Sequence, residues 1–320
     1  MYGRHGAAQR VTRWTGWTAA ALALWAPLLS NCGDGHQARS GSRRPVLTRL
    51  DPPAAEGAMA PRLARLDDGA LLTWLEPEGD GHRLLVARLD VEREAWSAPR
   101  TIVAGNAFFA NWADVPGAAQ VGGGELWAHW LEKLGDDTYA YGARIARSGD
   151  RGESWEDRGL LHDDASPTEH GFVSYVALPG GLRAFWLDGR EMEQRGPMQL
   201  RTTRLDGGTP AESVLLDDRV CECCSTDAAM TSKGAIVVYR DRSAAAVRDV
   251  AFVVVTESGF TEPALVHPDG WHIGGCPVNG PAVDAAEDTV VVAWFTGAEE
   301  ARASSRRSPP MAGRASTHRP

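Results

Sequence analysis

The chain has 320 residues, 43% of them hydrophobic and 23% charged, which suits one large globular domain with a sizeable core. Its formal charge of −9 is uneven: residues 1–31 and 301–320 carry only basic groups, leaving 25 basic and 42 acidic residues in 32–300. So acidic a body excludes nucleic acid as a partner, since phosphate neutralisation needs a basic face.

In chain order, Arg4, Arg10 and Arg13 precede a short apolar run, Thr18 to Leu29, that contains Pro27 and is too short to span a bilayer. The run ends in Leu29-Ser30-Asn31-Cys32, which resembles the bacterial lipoprotein box, with Asn31 in place of the usual small residue. Residues 1–31 are therefore expected to be an export signal and Cys32 the lipidated first residue, a membrane anchor. An ordinary secretory signal is the competing reading, and either places the protein outside the cytoplasm. Residues 32–50 then form a Gly-, Ser- and Arg-rich tether.

From residue 51 a turn followed by an apolar strand ending in an aromatic recurs, at Trp74, Trp130, Trp186, Tyr239 and Trp294, with spacings of 56, 56, 53 and 55. Each unit has a strand before the turn (61–66, 174–178) and a third strand after it (83–89, 141–147, 198–205, 250–255). A tight turn then leads to a weak fourth strand. Four antiparallel strands repeated around a centre predict an all-β fold, a β-propeller over 51–300. The turn Ser148-Gly-Asp150-Arg-Gly152-Glu-Ser154-Trp155 fits the Asp-box, Ser-x-Asp-x-Gly-x-Thr/Ser-Trp. Its work is structural: Asp150 takes backbone amides within its own turn, Gly152 turns left-handed and Trp155 packs between strands. The chain thus resembles the sialidase (neuraminidase, BNR-repeat) propellers over about 55–300. That resemblance implies six blades in an intact protein, of which about four and a half are present here.

In such a blade the loop leading into the innermost strand and the loop joining the second and third strands open on one face, and the unusual residues fall there. The lead-in loops hold Asn111, Trp112 and Asp114, then Glu169 and His170, then Cys221, Cys223 and Cys224, then His272, Cys276 and Asn279. The second set holds Asp188, Arg190, Arg240, Asp241, Arg242 and Arg248. They point to a ligand site, with a glycan as one candidate. The sialidase resemblance implies arginines on a substrate carboxylate, an Asp acid/base and a Tyr nucleophile activated by Glu. Arg190, Arg240, Arg242 and Arg248 are candidate arginines, and Asp114, Asp188, Asp241 and Glu169 candidate carboxyls. No Phe-Arg-Ile-Pro motif is present, Pro61-Arg62-Leu63 being a faint echo, and no Tyr stands in a clear nucleophile's place. Binding without turnover and sialidase-type hydrolysis both remain open.

Cys221, Cys223, Cys224 and Cys276 lie in lead-in loops of neighbouring blades, where disulfides are expected; a soft metal site with His272 or free thiols compete with that reading. No cofactor is called for, and a monomer is expected. Residues 301–320 contain no Val, Ile, Leu, Phe, Trp or Tyr. Read one frame over, their codons admit a third strand running into a second Asp-box, so a frameshift is expected there. On that expectation the second strand around Thr289–Phe295 is left as a bare edge.

Overall fold

The computed structural model describes residues 47–286, 289–299 and the backbone of 314–318. Cys32, the export signal, the first part of the tether and residues 300–313 lie outside the described residues. Within them the chain forms five antiparallel sheets. The first contains β1 (Met59–Leu66), β2 (Gly69–Glu78) and β3 (Gly81–Asp90), with β4 (Ala95–Trp96) and β5 (Arg100–Gly105) both pairing with β3. The second contains β6 (Gly117–Gln120), β7 (Leu126–Lys133), β8 (Tyr141–Ser148) and β9 (Glu156–Leu160). The third contains β10 (His170–Leu178), β11 (Gly181–Asp188), β12 (Gln199–Leu205) and β13 (Val214–Asp217). The fourth contains β14 (Asp227–Thr231), β15 (Gly234–Arg240), β16 (Val250–Val255) and β17 (Ala264–Leu265). The fifth contains β18 (Ala282–Ala286), β19 (Thr289–Trp294) and β20 (Arg314–His318).

The innermost strands β1, β6, β10, β14 and β18 stand against one another in that order, which is the arrangement of propeller blades. Apolar residues fill the seams. Leu71, Leu84 and Val86 meet Leu126 and Trp130 between the first two sheets, and Trp127 and Ile145 meet Leu182 and Trp186 at the next. Phe185 and Leu200 meet Val237 and Tyr239, and Ile236 and Val238 meet Val292 and Trp294. The five repeat aromatics are all buried. A buried indole N–H needs an acceptor, and the chain supplies carboxylates: Trp74 donates to Glu76 and Trp186 to Asp188, both at 2.8 Å, and Trp294 to Asp269 at 2.7 Å.

The Asp-box sits between β8 and β9. Asp150 Oδ1 accepts from Ser154 N at 2.9 Å and from Ser148 Oγ at 2.7 Å, while Gly152 takes φ 94°. The Ser154 hydroxyl, its amide and Ser148 hold the Asp150 carboxyl down to about 2. Trp155 packs against the core shared by the first two sheets.

One expectation is corrected. The second strand of the last sheet is not a bare edge, because Arg314–His318 pairs with it, from Val290 opposite His318 to Trp294 opposite Arg314. Sheet ladders use backbone N–H and C=O groups, which these residues possess whatever their side chains.

Candidate functional site

The lead-in loops are stitched to neighbouring loops by isolated bridges, Tyr141 with Glu169, Val220 with Asp241, and Val247 with His272. The innermost strands bulge where they border the centre: β1 shifts register between Met59 and Arg62, and β10 between Gly171 and Ser174. Bulges re-aim side chains and free backbone donors. In β10 the bulge places Phe172 at φ 53°, a strained conformation for an aromatic residue, and turns its N–H onto Asp114 Oδ2 at 2.8 Å.

Asp114 is buried against this amide and also accepts from Tyr141 Oη at 3.2 Å. Tyr141 in turn lies 2.7 Å from Glu169 Oε1, so one phenol bridges two carboxyls. Burial pushes the Asp114 carboxyl up to about 7, against the opposing pull of the Phe172 amide, Tyr141 and Arg62. Burial, with Asp114 and Cys221 nearby, raises Glu169 to about 7 as well. Room for the Asp114 carboxylate depends on Gly171, where a Cβ would fall 1.9 Å from Oδ2.

A cavity of about 320 Å³ opens on Asp114, lined also by Arg62, Trp112, Phe172, Thr226 and Asp227. Arg62 Nη1 donates to Val173 O at 2.9 Å. Burial raises Asp227 too, against amide hydrogen bonds from Val283 and Ala228. Trp112, 76% exposed, offers an indole face at the rim. Asn111 braces the same loop, accepting from Ala113 N and Asp114 N at 2.8 and 2.7 Å. The cavity can hydrogen-bond a polyhydroxylated ligand through carboxyls and a guanidinium, and can stack an apolar face on the indole.

The other expected site residues lie in different surroundings. Asp188 is the acceptor for Trp186 and also binds Arg190 Nε at 2.7 Å. Burial pushes it up, but Arg190, His170 and Trp186 together leave it below the usual carboxylate range. His170 is buried, stacked on His162 with ring centroids 4.0 Å apart and its Nε2 3.3 Å from Asp164 Oδ1. Arg240 is buried, and donates to the carbonyls of Asn279, Arg248 and Phe295 at 2.9, 2.7 and 2.9 Å. Its guanidinium also lies over Trp271, 4.9 Å from the ring centroid. Arg242 and Arg248 both pair with Glu222. Asp241 is half-buried and raised to about 6 by burial. His272 is exposed, and the backbone N–H of Asn279 donates to Cys224 Sγ at 3.3 Å.

Of the four cysteines beyond Cys32, Cys223 and Cys276 form a disulfide with Cα atoms 6.1 Å apart. Cys221 and Cys224 remain buried thiols, so disulfide bonding does not extend to all four. Cys223 faces the neighbouring lead-in loop, whereas the other two turn toward each other, with Sγ atoms 3.5 Å apart.

Arg62, Tyr141 and Asp227 were not singled out as site residues by sequence. Arg62 stands in the short Pro-Arg-Leu echo, and Asp227 closes the cysteine-rich loop. Tyr141 opens a strand whose pattern marks it only as core.

No family model matches the sequence, and no curated protein matches it. Among solved structures, an α-L-arabinanase of Penicillium chrysogenum in complex with arabinobiose is similar at 15% identity and TM-score 0.50, over 78% of this chain and 80% of that one. A β-1,2-mannobiose phosphorylase of Listeria innocua is similar at 9% identity and TM-score 0.44, over 77% and 89%. A glycosyl hydrolase of Bacteroides ovatus gives 11% identity and TM-score 0.42, over 82% and 84%. At this identity the likeness is one of fold and is not specific to sialidases. The chain is an all-β propeller of the architecture seen in the arabinanase.

Proposed function

We propose that the chain is an extracytoplasmic, lipid-anchored propeller whose central cavity binds a glycan. The observation that carries this reading is the shared cavity of Arg62, Asp114 and Asp227 with the exposed indole of Trp112 at its rim. A carboxyl that keeps its proton up to about pH 7 donates to a sugar oxygen below that pH and accepts from a hydroxyl above it, a guanidinium donates to hydroxyls, and an indole covers the apolar face of a pyranose or furanose. Fold likeness to the arabinanase agrees with a sugar ligand without specifying one.

A glycan array followed by calorimetry tests it. Wild-type protein should bind at least one glycan class, Trp112→Ala should weaken binding at least about tenfold, and the melting temperature of that variant should hold because the indole is exposed. Wild-type protein that binds no glycan, or a Trp112→Ala protein that binds as tightly, overturns the reading. The anchor is tested separately: a Cys32→Ala protein should leave the membrane fraction.

Hydrolysis is the second reading, favoured by two raised carboxyls, Asp114 and Asp227, on one cavity. Its sialidase-type form draws support from the Tyr141–Glu169 pair and Arg62. Against it stand Arg190, Arg240, Arg242 and Arg248, whose guanidiniums are committed to carboxylates, carbonyls and a thiol. Release of reducing sugar by wild type and its loss in Asp114→Asn, with binding retained, would establish turnover.

A further inference from the structure

The lead-in loops of β14 and β18 bring four sulfurs together. Cys223 is bonded to Cys276, which is exposed, while Cys221 and Cys224 are buried beneath them. Cys221 Sγ lies 3.5 Å from Cys224 Sγ and 3.9 Å from Cys223 Sγ. Buried thiols that merely pack need no cation, yet Arg248 Nη1 donates to Cys221 Sγ at 2.8 Å and holds Glu222 at 2.9 Å. The backbone N–H of Asn279 donates to Cys224 Sγ at 3.3 Å.

Three of these sulfurs lie close enough together to hold a metal ion. A cation is disfavoured there: one of the three sulfurs belongs to the disulfide, and a guanidinium occupies the open side of a second. The same guanidinium favours a thiolate, the nucleophile of disulfide exchange.

We propose that the four cysteines form a thiol–disulfide relay that interconverts two bonded isomers, Cys223–Cys276 and Cys221–Cys224, and exchanges electrons with an external disulfide compound. In the first step the Cys221 thiolate attacks Cys223 Sγ. A Cys221–Cys223 bond forms, the Cys223–Cys276 bond breaks, and Cys276 leaves as a thiolate at the surface. In the second step Cys224 gives up its proton to solvent and attacks Cys221 Sγ. The Cys221–Cys224 bond forms, the Cys221–Cys223 bond breaks, and Cys223 leaves as a thiolate that takes up a proton. Two electrons pass from the inner pair to the outer pair with no net oxidant. The outer dithiol then reduces an external disulfide to two thiols, and the chain is left with both of its own disulfides closed.

The groups facing Cys221 set its acidity. The hydrogen bond with Cys224, the Cys223 backbone amide and Arg248 outweigh burial and bring the thiol down to about 6. Arg242 and Arg240 add positive charge from β15 and the loop after it, and Glu169 adds negative charge from the loop before β10. The hydrogen bond with Cys221, and then burial, raise Cys224, which suits a resolving thiol that is deprotonated only during exchange.

The test is disulfide mapping by mass spectrometry after acid quenching and N-ethylmaleimide blocking, on protein held without oxygen at pH 5 and pH 7. Wild-type protein should yield both isomers, with the first exchange, read as alkylated Cys276, running about tenfold faster at pH 7, the ratio of thiolate fractions for a thiol like Cys221. A Cys224→Ser protein should stall at Cys221–Cys223 with Cys276 alkylated. Glutathione disulfide added to wild type should release about two equivalents of glutathione per chain and leave no alkylable thiol. Wild-type protein that shows only Cys223–Cys276 at both pH values overturns the relay, as does stoichiometric zinc or copper held by thiols resistant to blocking.

Discussion

Replacing Asp114 by Asn should stabilise the protein at alkaline pH even though it removes a carboxyl from the centre of the cavity. The carboxyl is buried, and its folded-state value of about 7 lies above the ordinary 3.8. Below pH 3.8 the group is protonated in both folded and unfolded chains and contributes no pH dependence. Between 3.8 and 7 the unfolded chain has lost the proton that the folded chain retains, so stability falls as pH rises. Above 7 the whole cost is present. A shift of this size corresponds to about 4 kcal/mol at 1.36 kcal/mol per pH unit. Asn keeps an oxygen for the Phe172 amide and a polar group facing Tyr141, and it does not ionise. His129 and His162 are both held low by burial and give the opposite slope, in wild type and variant alike. The difference between the two proteins therefore removes the histidine contribution and reports Asp114 together with the part of the Glu169 rise that Asp114 causes, which has the same sign. Urea unfolding at pH 4.5 and pH 8 is the assay, with the Asn variant gaining about 3 kcal/mol on wild type between the two values, since about 1 kcal/mol of the cost is already present at pH 4.5. Parallel pH–stability curves, or a variant weaker than wild type at pH 8, would refute the reasoning.

Arg240→Met should cost about 2–3 kcal/mol, because one buried and two part-buried carbonyls lose their donor together; hydrogen exchange should then speed up most in β18 and β19, which the guanidinium ties to β15. Gly171→Ala should cost about 1–3 kcal/mol in chemical denaturation, since the new Cβ meets the Asp114 carboxylate, and it should weaken any glycan binding in parallel. Tyr141→Phe should lose about 2 kcal/mol by leaving Asp114 and Glu169 without their shared hydroxyl donor.

The propeller was legible in the sequence because its signal is local and repeated. Each blade needs a turn, an apolar strand and a core aromatic, so Trp74, Trp130, Trp186, Tyr239 and Trp294 recur at nearly one spacing. The Asp-box was legible for the same reason, since Ser148, Asp150, Gly152 and Ser154 bond to one another within a single turn. Sequence also gathered the polar loops on one face, but it could not sort them. Asp188 and Asp114 look alike as loop-adjacent carboxyls. Only packing makes one the acceptor for a core indole and Arg190, and the other a buried acid facing a cavity. Arg240 reads as a substrate-binding arginine until its guanidinium is found closed on three carbonyls. Tyr141, Arg62 and Asp227 come from three different blades, and no periodicity relates them, because what brings them to one centre is the angle between sheets. The cysteines divide in the same way: their loops were placed by the repeat, while the choice of Cys223 as partner for Cys276 depends on which sulfur faces the next blade. Strand pattern and turn chemistry act over a few residues and so are written in sequence order; burial, pKa and side-chain partnership arise between blades and exist only once the seams are packed.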